Sequence, residues 1–317
     1  MPVKPLLFLL LFPFIASAQN TYIPSDTSFT VYSAFAKAKK LYPFIQIAQP
    51  QMPKGVLAKY DVVYATIGNR PLHADVFYPA AKNKKGYPGI VLIFGGGWRS
   101  GNKSQSAPMA QQIAARGYVT MAIEYRLTLE APYPVAVYDI KAAIRWLRAQ
   151  AAAYQLDTTK IATHGVSAGG QLAALIGTTN GLSAFEGNEG DLQHSSAVQA
   201  IVDIDGILAF KHPQSQESAA TAQWLGGTYE QQPQTWIVAS ALTHVNQYTP
   251  PALFINSSQP RFHAGRDDMI RKMDSLHIYS EVHTIPNTPH PFWLFHPWFE
   301  PVVEYTVQFL DKVLKGK

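Results

Sequence analysis

The sequence predicts an α/β fold with a mostly parallel central sheet and helices on both faces. Strand-like runs of β-branched and aromatic residues alternate along the chain with segments of helical spacing. The 317 residues are 47% hydrophobic and only 15% charged, enough to bury one large core and too apolar for a disordered chain. No internal repeat and no long linker divides the sequence, so one domain is the simplest count.

The elements follow in order. Residues 1–18 carry one lysine, an apolar run and the small-residue triplet Ala16-Ser17-Ala18, the pattern of a signal peptide cut after Ala18. The run is too short for the ~20 residues of a membrane helix, so no membrane span is expected and the chain reads as secreted or periplasmic. Residues 19–55 are polar and aromatic, with a short helical pattern near 34–41, and are expected to form an arm packed on the domain. Then come the strands YDVVYATI, HADVFYP and GIVLIF, bounded by Gly, Pro or Asn. A helix is expected over 108–116, then the strand VTMAIEY. A longer helix over 135–154 sets Ile140, Ile144 and Leu147 on one face, with Lys141, Arg145 and Arg148 off it. KIATHG, a helix over 168–177, AIVDI, ALFIN, a helix over 267–276, SEVHTI and a last helix over 301–314 continue the alternation. In such a sheet the ligand site lies beyond the carboxyl ends of the strands.

Composition narrows the chemistry. With no cysteine there is no disulfide framework, thiol nucleophile or zinc knuckle, so a nucleophile must be an oxygen or a nitrogen. The formal charge of +5 is mild, and no dense basic stripe with interleaved aromatics is present, which argues against nucleic acid. Neither composition nor motif specifies an oligomeric state.

Gly165-Val166-Ser167-Ala168-Gly169 falls on the turn between the strand KIATHG and a helix. A sharp strand-to-helix elbow exposes the serine and crowds its neighbours, so glycine is needed on either side. Ser167 is therefore the candidate nucleophile. The helix behind it begins with free N–H groups that suit a developing oxyanion. Upstream, GIVLIF runs into Gly95-Gly96-Gly97-Trp98, a glycine loop able to turn further amides inward. Gly96, Gly97 and Ala168 are the candidate oxyanion donors.

The chain resembles the α/β-hydrolase superfamily, and within it the hormone-sensitive-lipase-like and bacterial feruloyl-esterase-like carbohydrate esterases. The resemblance rests on FGGGWRSGNKS, on Glu124 to Leu127, on the run around Ser167 and on NTPHPFW near the end. Two positions depart from it: Phe94 stands where a histidine opens the glycine motif, and Val166 where His or Asp is usual. The resemblance implies a serine carboxylester hydrolase without metal or organic cofactor. Its substrate would be acetyl, feruloyl or methyl esters of plant cell-wall polysaccharides or oligosaccharides, pectin-like or xylan-like. A peptidase of the prolyl-peptidase type, or a carbohydrate-binding relative whose catalysis has lapsed, are the alternatives.

Of ten histidines, His290 follows the strand SEVHTI in a turn before the last helix and is the candidate base. His263 and His296 are runners-up, while His164 and His283 lie within strands. The acid has two candidates. Asp205 ends AIVDI before Gly206, with Asp203 read as structural, and Asp267 begins a helix. The family's usual acid slot falls near Arg261. Arg261, His263, Arg266 and Lys272 gather positive charge near the site, while Trp98, Trp293 and the aromatic tail offer flat apolar surface. Trp98, Arg261, His263, Arg266 and Trp293 are accordingly the candidate substrate residues, suited to a polar, anionic sugar.

Overall fold

Alternation along each strand puts successive side chains into two separate cores, one on either side of a single sheet. A computed structural model describes residues 26–317. The expected signal peptide lies outside the described residues, as does the start of the arm. In chain order the regular elements are α1 (Val31–Ala38), β1 (Gln46–Ile47), β2 (Val56–Ile67), β3 (Arg70–Pro79) and β4 (Tyr87–Ile93). There follow α2 (Ala107–Ala114), β5 (Val119–Ile123), α3 (Val135–Ala149), α4 (Ala151–Tyr154), β6 (Leu156–Val166), α5 (Ala168–Thr178) and β7 (Ala200–Ile204). The chain ends with α6 (Ala219–Trp224), α7 (Pro233–Val238), β8 (Ala252–Asn256), α8 (Arg266–Ser275), β9 (Ser280–Thr284), β10 (Phe295–His296) and α9 (Phe299–Leu310).

Eight strands form the sheet in the order β2-β3-β5-β4-β6-β7-β8-β9. The β2–β3 and β3–β5 pairs are antiparallel, and every pairing from β5 through β4 to β9 is parallel. In β4, Val91 and Ile93 enter the core beneath α3 and α5, while Ile90 and Leu92 enter the one beneath α2 and α9. β8 divides in the same way, Phe254 to the first core and Leu253 and Ile255 to the second.

The expected long helix over 135–154 divides at Gln150 into α3 and α4. Its basic residues also differ from expectation: Lys141, Arg145 and Arg148 are buried. The segment after α5 folds over that face and supplies their partners. Glu186 lies 2.8 Å from Lys141 Nζ and 2.9 Å from Arg145 Nη1, and the Ala197 carbonyl accepts from Arg148 Nη2 at 2.7 Å. A lone basic residue would not be tolerated there, because an unpaired buried charge is expensive.

Thr30 caps α1 reciprocally with Ser33. Ile45 is wholly buried in the second core, and β1 pairs antiparallel with β10. Ile45→Ala is expected to cost about 2–4 kcal/mol of unfolding free energy in urea, against less than about 0.5 kcal/mol for Leu41→Ala at a position 79% exposed.

Candidate active site

Ser167, His290, Asp205 and the Gly95–Gly97 loop converge where β4, β6 and β7 end. Ser167 adopts φ 54°, ψ −121°, an unfavourable conformation for a side-chain-bearing residue. Its N–H is held by the Ile204 carbonyl at 2.8 Å. The flanking glycines are sterically required: a Cβ on Gly165 would lie 1.9 Å from the Gly169 carbonyl oxygen, and one on Gly169 2.2 Å from that of Ile93.

His290 Nε2 lies 2.8 Å from Ser167 Oγ, and His290 Nδ1 lies 3.0 Å from Asp205 Oδ2. An ionised carboxylate only accepts, so Nδ1 carries the proton and Nε2 is left to accept from the serine hydroxyl. Asp205 Oδ1 accepts the Ser257 N–H at 2.8 Å, and His263 Nδ1 lies 3.7 Å from the same oxygen, too far for a hydrogen bond. Burial pushes the Asp205 carboxyl up, but the neighbouring imidazoles of His263 and His290 outweigh it and hold the pKa down to about 2.

Asp267, the other candidate acid, does not join this chain. Its carboxylate is exposed and accepts from Arg266 Nε at 2.8 Å, at the start of α8 where the helix dipole favours it. The basic rim also disperses. Arg266 is occupied by Asp267 and by Asn256 Oδ1, Lys272 donates to the Leu242 carbonyl, and His263 is buried against Asp205. Arg261 alone of the four lines a pocket at Ser167, the smaller of the two there.

The glycine loop is held without its usual histidine. Phe94 stacks on Tyr125 with ring centroids 4.4 Å apart, and the Tyr125 hydroxyl donates to the Phe94 carbonyl at 3.0 Å. Trp98 stacks on Trp224 at 4.6 Å and donates from Nε1 to Gln171 Oε1 at 3.0 Å. Ser100 Oγ donates to the Gly96 carbonyl at 2.8 Å, which fixes that peptide unit. Among the described residues the N–H groups of Gly96, Gly97 and Ala168 have no acceptor in the loops and caps.

Two pockets open at Ser167. One of about 290 Å³ includes Gly96, Arg99, His290 and Trp293. The other, about 190 Å³, includes Trp98, Ala168, Gln216, Thr221 and Arg261. A larger hollow of about 890 Å³ between the arm and α9 shares no residue with either and contains the Arg116–Glu304 ion pair. Phe262, absent from the sequence expectations, stacks flat on His290 with centroids 3.4 Å apart, and Trp293 meets the imidazole edge-on at 5.1 Å. Ser28 and Phe29 of the arm also line the first pocket. Nothing in their local sequence marks them, because they reach the site through the packing of the arm alone.

A family model described as BD-FAE matches residues 74–282. The chain belongs to the BD-FAE family. Its match to the probable carboxylic ester hydrolase LipM of Mycobacterium tuberculosis is 29% identical over 245 residues, covering 73% of this chain and 56% of that protein. The chain spans about half the length of the curated relatives it matches. Among solved structures, a thermophilic esterase from Thermogutta terrifontis superposes with a TM-score of 0.68 at 27% identity, covering 84% of this chain and 94% of that one. A truncated carbohydrate esterase from gut microbiota gives a TM-score of 0.71 at 22% identity, covering 84% of this chain and 99% of that one, a likeness of fold. The BD-FAE chain thus has the α/β-hydrolase fold and esterases for relatives. Among its described residues no helix is long and apolar enough to cross a membrane.

Two carboxylates two residues apart sit at the end of β7 with opposite behaviour. Burial and the Asp205 charge push the Asp203 carboxyl well above the usual range; Oδ1 accepts the Gly206 N–H and Oδ2 has no partner. The folded state therefore retains a proton on Asp203 that the unfolded chain releases near pH ~4. Stability from this group is full below that pH and declines as pH rises above it. Asp203→Asn, which resembles the protonated acid in shape, is expected to raise the urea midpoint at pH 7, with the gain vanishing below about pH 4. Asp205 acts with the opposite sign: its contribution is present above pH ~4 and is lost as pH falls towards about 2.

Proposed function

We propose that this chain is an exported serine carboxylester hydrolase that removes ester groups from carbohydrate. The observation that carries the reading is the unbroken hydrogen-bonded series from Asp205 through His290 to Ser167, at the mouth of two pockets. Ser167 attacks the ester carbonyl while His290 Nε2 takes its proton, and Asp205 keeps the imidazole oriented and stabilises its charge. The amides of Gly96, Gly97 and Ala168 receive the oxyanion. Collapse of the tetrahedral intermediate breaks the bond to the alcohol, which leaves with the proton from His290. Water, deprotonated by the same imidazole, then releases the acid from Ser167.

The named activities of the mycobacterial and Thermogutta relatives support ester hydrolysis. The carbohydrate part leans on the sequence resemblance and on the fold shared with the gut carbohydrate esterase. The walls beside His290 include hydroxyl and amide groups of Ser28, Ser33 and Gln259, which suit a polyhydroxylated ligand. Acetyl, feruloyl and methyl esters are the candidate bonds, and no cofactor is required for any of them.

The test is release of nitrophenol from p-nitrophenyl acetate, acetate from acetylated xylan and methanol from methylated pectin. Ser167→Ala is expected to lower kcat by about 10⁶-fold, and Asp205→Asn by about 10⁴-fold with little change in KM. Turnover that survives Ser167→Ala removes the nucleophile assignment.

A further inference from the structure

We propose that the N-terminal arm builds the binding site for the alcohol half of the substrate, and that this alcohol is a saccharide bearing a carboxylate, such as a hexuronate. The inference rests on the esterase reading of Ser167 and goes further by naming the substrate class and the segment that recognises it.

A groove of about 660 Å³ runs from His290 to α1. It shares Ser28, Phe29, Phe262 and His290 with the larger of the two pockets at Ser167, so the two adjoin along these residues. Position decides which half of an ester each hollow receives. The leaving oxygen must take its proton from His290 Nε2, so the alcohol lies on the imidazole side. The smaller pocket touches Ala168 and Trp98 but not His290, and is left for the acyl group.

The groove's charge selects the alcohol. Lys37 of α1 lines it and Arg261 stands between it and the smaller pocket, both exposed, and among the described residues no Asp or Glu lines it. The Arg261 guanidinium lies 4.3 Å above the Phe262 ring, which itself covers His290, so the guanidinium is held at the entrance beside the reacting atoms. A stacked guanidinium is suited to bidentate capture of a carboxylate. Ser33 and Gln259 add polar groups, and Phe29 and Tyr42 apolar faces. Two cations, polar partners and ring-sized apolar surface together fit an acidic sugar better than a neutral one or a lipid chain.

The experiment measures binding apart from turnover. Trigalacturonate and xylotriose are titrated calorimetrically into the Ser167→Ala protein and into the same protein carrying Lys37→Glu or, as the milder change, Lys37→Gln. The expected result is that trigalacturonate binds more tightly than xylotriose and weakens as salt rises. Lys37→Glu should reduce its affinity about fivefold, Lys37→Gln less, and neither should alter xylotriose binding. Equal binding of the two sugars, or indifference of trigalacturonate to both Lys37 variants, overturns the proposal. Turnover of p-nitrophenyl acetate by the unaltered protein reports separately on the esterase reading. Turnover without a galacturonate preference sinks only the inference about the groove. A galacturonate preference without any ester turnover supports the groove as an acidic-sugar site and sinks the reading on which its catalytic use depends.

Discussion

Backbone crowding between the ends of β4 and β6 and the start of α5 is the constraint on which the site depends. Gly165 and Gly169 are in contact through a carbonyl, and Gly169 also abuts the end of β4, so a methyl group at either would push the layers apart. The strain at Ser167, on the order of 1–3 kcal/mol, is tolerated because parallel pairing on both sides of β6 leaves the turn no other course. The same crowding brings the Gly95–Gly97 loop against the serine and leaves the amides of that loop and of α5 free on the pocket side. The strained conformation of Ser167 and the free amides around it are thus two results of one packing requirement.

The second constraint is electrostatic. Asp203 and Asp205 end an apolar strand, and both cannot be ionised cheaply in that interior. The structure separates them by environment. Asp205 faces two imidazoles and a backbone N–H, while Asp203 faces the glycines of α5 and the turn after β7. Burial acts on both, and only Asp205 has partners enough to overcome it. The loop after β8, where the resembled family carries its acid, instead supplies Arg261, Phe262 and His263 around the base and the carboxylate.

Most of the sheet was legible because its signals are local. The first three strands of the sheet were marked by runs of β-branched and aromatic residues bounded by Gly, Pro or Asn, and the elbow by glycines whose necessity is steric. Ser167 and His290 could be nominated for the same reason, since one sits on a strand-to-helix turn and the other in a loop before the last helix. Asp205 and Asp267 could not be separated, because the choice depends on which carboxylate the fold turns towards His290. The fate of the cations was equally illegible. Lys272 is spent on the Leu242 carbonyl, and Lys141 and Arg145 are buried by a segment some 40 residues away, pairings without a local pattern, whereas Arg266 pairs with its own neighbour Asp267. Phe262 was missed because a phenylalanine beside an arginine in a loop has no periodicity to assign it a face.

The arm shows how a segment without a motif acquires a role. β1 pairs with β10, the Ala48 N–H is held by the Leu294 carbonyl at 2.9 Å, and Phe35 meets Phe295 at 6.0 Å. These contacts grip the stretch that begins at His290, only a few residues from the imidazole. Phe292, Trp293 and Leu294 are buried between them, so the turn bearing His290 is fastened to the arm on one side and to the core on the other. Orientation of an imidazole to within hydrogen-bonding tolerance needs such a rigid support, since a small displacement at Nε2 would break its contact with Ser167 Oγ. The segment that lines the groove beside His290 is therefore also one that holds His290 in position, so the groove wall and the alignment of the imidazole are mechanically joined in this fold.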